Sequence, residues 1–118
     1  MDTRKAIMAF SQSEKIKSGI IWLSSLLELM RSLSPSEKQG GEKIVRTCAD
    51  MVFQEIRLVR SIADDNRWEE AERCLDQAVV MMDSGVSAES IIHLTQALSQ
   101  VTSIGQQTMS FLQDQGLL

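Results

Sequence analysis

Residues 65–87 read DNRWEEAERCLDQAVVMMDSGVS, and this stretch decides the fold class. Asn66 is placed to cap a helix, with Glu69 three residues on to reach back to it. Glu69, Glu70 and Glu72 fill the first turns, where a helix dipole favours negative charge. Trp68, Ala71, Leu75, Ala78 and Met82 recur at steps of three and four, which is one face of a helix. Cys74, Val79 and Met81 widen that face, and Glu69 with Arg73 forms an i,i+4 pair on the outer side. Gly85 follows the last apolar position, where a left-handed residue closes a helix. Ser87 is then a fresh cap, with Glu89 in the next first turn. The stretch predicts a capped amphipathic helix that turns directly into another.

The rest of the chain repeats the pattern. Ile16, Ile20, Leu23, Leu27 and Met30 make one stripe; Trp22, Leu26, Leu29 and Leu33 make a second beside it. So wide an apolar face calls for burial against at least two neighbours, or for part of it to meet a second copy. Ser34-Pro35-Ser36-Glu37 is a capping box with proline at the first helical position. Gly40-Gly41 follows, and two glycines inside a helix would cost about 2 kcal/mol relative to alanines; residues 34–41 therefore read as a hinge. Beyond it, Val45, Ala49, Val52, Ile56, Val59 and Ala63 form one stripe, flanked by Ile44, Cys48, Met51, Glu55, Leu58 and Ile62. In the last helix Ile91, Leu94, Leu98, Val101, Gly105, Thr108 and Leu112 hold the step. Its outer side is rich in glutamine. Residues 1–10 read either as a separate arm, since Ser11 and Glu14 make a further capping box, or as the first turns of helix one.

The expected fold is a single all-α domain: an antiparallel up-and-down four-helix bundle with helices near 12–33, 42–64, 67–84 and 88–115. Composition agrees. Of 118 residues, 43% are hydrophobic, with one proline and no tyrosine. From Leu58 to Met82 the chain is similar to a tetratricopeptide-type helix pair: Leu58, Ile62, the Asp64-Asp65-Asn66 turn, Ala71, Leu75 and Ala78 fall where that repeat has apolar and small residues. Val59 stands at its glycine, Glu55 at its tryptophan and Asp83 at its closing proline. No second copy lies 34 residues away, so the likeness amounts to a helical hairpin, and no family is identified over the whole chain.

Several functions are disfavoured. Residues 1–60 carry ten basic and seven acidic side chains and residues 61–118 two and nine, giving −4 in all; a net acidic chain is a poor nucleic-acid binder. The run Gly19 to Met30 is short for a membrane span, carries Glu28 and lacks a cleavage site after it. A bacterial, cytoplasmic protein with no membrane role is expected. Cys48 and Cys74 fall on apolar stripes about 12 Å out of register, too far to bridge. One histidine, His93, lies on the polar face and cannot supply a di-iron or zinc set. No cofactor, metal or catalytic residue is assigned.

The function expected is a small non-enzymatic interaction module (adaptor, regulator or chaperone-like subunit) that pairs with itself. The residues assigned to partner contact are Phe53 with Arg57 and Arg60, read as an exposed aromatic among arginines, and Ile7, Met8 and Phe10 on the arm. The alternative is a bundle holding an apolar small molecule in its core, with Glu55 as the convergent polar group.

Overall fold

The computed structural model describes residues 2–118, the side chain of Ser87 excepted. It holds four helices and, among the described residues, no strand: α1 (Thr3–Met30), α2 (Pro35–Ile62), α3 (Asn66–Asp83) and α4 (Ser87–Asp114). Each helix packs antiparallel to the next, and α4 returns to α1, closing a four-helix bundle. The core is one cluster drawn from all four: Ile16, Ile20 and Leu27 on α1, Ile56 and Val59 on α2, Trp68 and Leu75 on α3, Leu94, Val101 and Ile104 on α4.

The helix ends follow from their caps. The Asp2 carboxylate accepts from the Arg4 backbone N–H at 2.8 Å and starts α1. The Ser34/Glu37 box starts α2, with Glu37 accepting from the Ser34 N–H at 3.0 Å. Asp65, rather than Asn66, caps α3; its Oδ1 accepts from the Arg67 N–H at 2.9 Å, and Asn66 is already helical. Gly85 ends the α3 closure at φ +78°. The Val86 N–H donates to the Met81 carbonyl and the Gly85 N–H to that of Met82, the two bonds of a Schellman motif. The capping role expected of the Ser87 side chain lies outside the described residues; α4 begins at that residue.

Two expected boundaries are settled. Of the two readings of the N-terminus the continuous helix holds: α1 runs unbroken from Thr3 with Ala6 and Ala9 buried, and residues 3–10 form no separate arm. Nor do the glycines make a hinge. α2 runs from Pro35 through both, and Gly41 is where the end of α1 presses closest. A Cβ there would meet Met30 Sδ at 2.6 Å and Leu33 Cδ1 at 2.8 Å. The helical penalty of that glycine offsets the clash a side chain would bring.

Close approach recurs along α1. A Cβ on Gly19 would lie 3.0 Å from Val52 Cγ2, and one on Gly105 would lie 2.9 Å from Ser13 Oγ. These contacts fix the register: Ser13 lies level with Gly105, Gly19 with Val52 and Met30 with Gly41. Carried along at about 1.5 Å per residue, α1 and α4 overshoot the α2–α3 turn at one end, and α2 overshoots α1 at the other. That stagger explains an overall length of 53 Å, against about 42 Å for a 28-residue helix.

Candidate interaction surface

α2 is apolar on more than one side, so its faces decide where function could lie. Val45, Ala49, Val52, Ile56 and Val59 enter the core. Beside them, the side bearing Phe53 and three arginines turns to α3. Phe53 is 7% exposed, a correction to the expected surface aromatic. The Arg57 guanidinium carbon sits 5.5 Å from its ring centroid. Arg57 Nε donates to Glu72 Oε1 at 3.3 Å and Arg60 Nη1 to Glu72 Oε2 at 2.7 Å. Arg60 also reaches Asp64 at 3.3 Å, and Arg46 pairs with Asp83. The bond to Glu72, reinforced by the charge of Asp64, raises the Arg60 pKa above its ordinary value. The cluster Phe53–Arg57–Arg60 thus links α2 to α3, with Phe53 buried and the Arg57 side chain 66% exposed.

The opposite flank is left open. On α1, Met8, Lys15, Trp22 and Leu29 recur every seven residues, with Leu26 alongside and Leu33 in the turn that follows. On α2, Ile44, Met51 and Leu58 do the same, with Cys48, Glu55 and Ile62 beside them. Seven residues fall only about 20° short of two turns, so each stripe runs nearly along its helix. Contacts at two levels show that the two stripes border one groove. Lys15 Nζ lies 2.9 Å from Glu55 Oε1, and Gln12 Nε2 donates to Glu55 Oε2 at 2.9 Å and to the Glu55 carbonyl at 3.2 Å. Eleven residues away on each helix, Leu26, Leu29 and Leu33 share a hollow of about 500 Å³ with Ile44 and Val45.

Much of this face meets solvent. Trp22 is 66% exposed, Ile44 64%, Met51 61% and Leu29 58%, and Leu58 and Ile62 are exposed as well. At roughly 200 Å² for a fully exposed large side chain, these six together present about 700 Å² of largely apolar surface. The edges carry no charge: Ser11, Ser18 and Ser25 recur at seven-residue steps on α1 with Ser32 in the turn after it, and Thr47, Gln54 and Ser61 on α2. Four of those hydroxyls donate to their own helix: Ser25 to Ile21 at 3.2 Å, Ser32 to Leu29 at 2.8 Å, Thr47 to Lys43 at 2.9 Å and Ser61 to Leu58 at 2.6 Å. With their donors satisfied, such hydroxyls lose little when water is displaced from them.

Glu55 is the polar centre of the face. The bond from Gln12, then that from Lys15, holds its carboxyl below the usual glutamate range, against the opposing effect of burial. It stays charged and is answered in place. Cys48, expected to be buried, is only half-buried on this face, and desolvation raises its pKa; a raised thiol pKa marks a poor nucleophile at neutral pH. Cys74 is buried in the core cluster.

Of the other residues assigned to partner contact, Ile7 is 48% exposed, while Met8 and Phe10 are half-buried against the bundle. Met8 continues the α1 stripe. The structure does not bring these three together with Phe53, Arg57 and Arg60. Sequence reasoning had marked Trp22, Leu29, Ile44 and Met51 only as apolar stripes; their heptad spacing and uncharged edges were the available signal.

Among the described residues, no three His, Cys, Asp or Glu side chains stand close enough to hold a metal ion, and no helix is long and apolar enough to cross a membrane. The hollow between Leu23, Leu27, Ala49, Ala78 and Leu94 measures about 10 Å³, at most one water, and Glu55 faces the outer groove. His93 Nδ1 lies 3.3 Å from the Gln96 side-chain oxygen.

Comparison with known proteins returns no match, whether to a family model, a curated protein or a solved structure.

Proposed function

We propose that this chain is a protein-interaction module with no catalytic chemistry of its own, and that it works through the apolar face of the α1–α2 hairpin. The observation that carries the reading is Trp22. It stands 66% exposed at the middle of a stripe with Leu29, beside Ile44 and Met51. A large aromatic ringed by aliphatic side chains and uncharged edges has the composition of an interface centre: aromatics and methionine enriched, charge depleted. The arginines that might have supplied a nucleic-acid surface are engaged by Glu72, Asp64 and Asp83.

The hollow under Leu26, Leu29, Leu33 and Ile44 supports a second reading, a small apolar ligand, since its size lies in the range of ligand pockets. It opens onto the same face, where a side chain from a protein partner fills it equally well.

A photo-crosslinking amino acid at position 51, with position 106 on the exposed side of α4 as control, tests the proposal in cells. The expected result is a protein adduct, to another chain or a second copy, from position 51 and none from 106. Equal yields from the two positions, or none from either, would overturn it.

A further inference from the structure

We infer that the occupant of this face is a second copy of the chain, docked hairpin to hairpin about a two-fold axis. The inference rests on the reading of the α1–α2 face as an interaction surface and names its partner.

Charge is the first argument. Residues 1–60 hold ten basic and seven acidic groups. Three of the ten, Arg46, Arg57 and Arg60, are turned to carboxylates of α3. Seven of each sign remain, so the rest of the hairpin is balanced. The two ionic groups in the groove, Lys15 and Glu55, neutralise each other at 2.9 Å. A face without surplus charge has nothing to select a partner of opposite sign, and it meets its own copy without like-charge repulsion. Residues 61–118 hold two basic and nine acidic groups. Hairpin-to-hairpin docking puts both of these acidic halves outermost, at the greatest separation available.

Shape is the second. The face has two ridges, one on each helix, and packed helices lie about 8–10 Å apart. A lone helix would need a continuous groove between the ridges. The Lys15–Glu55–Gln12 contacts close that groove midway. A two-helix surface matches two ridges, and this chain carries such a surface. Both ends of the face are apolar, Leu26, Leu29 and Ile44 at one and Met8, Leu58 and Ile62 at the other. Reversing one copy therefore sets apolar end on apolar end. The open hollow at the first end then receives side chains from the second copy.

Area is the third. About 700 Å² of exposed apolar-rich surface approaches the ~800 Å² per partner of a standard stable interface, before the serine and threonine edges are counted.

Sedimentation equilibrium on the purified full chain tests the inference from nanomolar to high-micromolar concentration. The variants are Met51→Glu and Ile44→Glu on the face and Val80→Glu on the exposed side of α3, with far-UV circular dichroism to confirm helicity. Wild type is expected to dimerise with Kd in the micromolar range or tighter. Each face variant should weaken Kd by roughly a hundredfold or more, and Val80→Glu should leave it unchanged. A wild type that stays monomeric throughout, or a dimer indifferent to both face variants, or one weakened equally by Val80→Glu, overturns the second copy as occupant. If that monomer still yields adducts from position 51 to other proteins, the interaction reading stands without the dimer; if it yields none, both fall.

Discussion

Gly105 offers the sharpest check on how α1 and α4 meet. It is buried in a continuous helix, where alanine is worth about 1 kcal/mol more than glycine. Propensity alone makes Gly105→Ala stabilising. The structure removes that gain. An added Cβ would lie 2.9 Å from Ser13 Oγ, which is buried and donates to the Phe10 carbonyl at 2.7 Å. Making room means rotating the hydroxyl out of its bond, for about 1 kcal/mol, or parting the helices, for about 1–3 kcal/mol. The net expectation for Gly105→Ala is between no gain and a loss of about 2 kcal/mol. Ser13→Ala removes the obstacle, because the next nearest atom, Ser13 Cβ, is at 3.5 Å and in ordinary contact. In that background Gly105→Ala should stabilise by about 1 kcal/mol. The coupling energy is then about 1–3 kcal/mol, within what contacting residues show. Urea unfolding of wild type, both single variants and the double variant, followed by far-UV circular dichroism, measures it. If Gly105→Ala has the same effect in both backgrounds, the helices do not approach as closely as described.

Three further outcomes follow from the same geometry. Gly40→Ala should stabilise the fold by about 1 kcal/mol, since Gly40 is helical and a Cβ there meets nothing within 4 Å; a hinge would give no such gain in the melting curve. Trp68 is fully buried and its indole N–H has no partner among the described residues, so Trp68→Ala should cost about 3–5 kcal/mol, whereas Trp68→Phe, which removes that unsatisfied donor, should cost less than about 2 kcal/mol by chemical denaturation. Glu55 holds its proton less tightly in the folded chain than unfolded; its contribution is complete above the ordinary glutamate range near about 4.3 and is lost as pH falls through the lower folded value. The stability gap between wild type and Glu55→Gln should therefore shrink on acidification, and a gap that widens in acid titrations would refute the assignment.

Much of the fold was legible because capping and periodicity are local. The stretch from Asp65 to Gly85 carried a cap, a dipole-matched first turn, one apolar face and a left-handed terminator, and α3 follows it to within a residue. The glycine pair misled because a local penalty was weighed without its tertiary return: Gly41 sits where Met30 and Leu33 need the space. The N-terminus stayed open between two readings because the Ser11–Glu14 pattern resembles a start, while Ala6 and Ala9 packing carries the helix through it.

The candidate surface was legible as composition and illegible as placement. α2 bears two faces flanking its core stripe, each with plausible interface residues. One has Phe53 with arginines; the other has Ile44, Cys48, Met51 and Leu58. Nothing within α2 says which of them the short α3 will cover. The deciding residues lie elsewhere, in Glu72 and Asp83, whose carboxylates draw the arginine face inward. Once that face is covered, the heptad stripe beside Trp22 is what remains outside.

The central claim is that Trp22 is covered in the working assembly. The chain has two tryptophans at opposite extremes, Trp68 wholly buried and Trp22 66% exposed. Acrylamide quenching of tryptophan emission over a concentration series therefore reads the claim directly. The account predicts one accessible and one shielded emitter in dilute solution, and loss of the accessible one as the chain is concentrated, with Met51→Glu holding it accessible. A Trp22 equally open to quencher at every concentration would contradict the account.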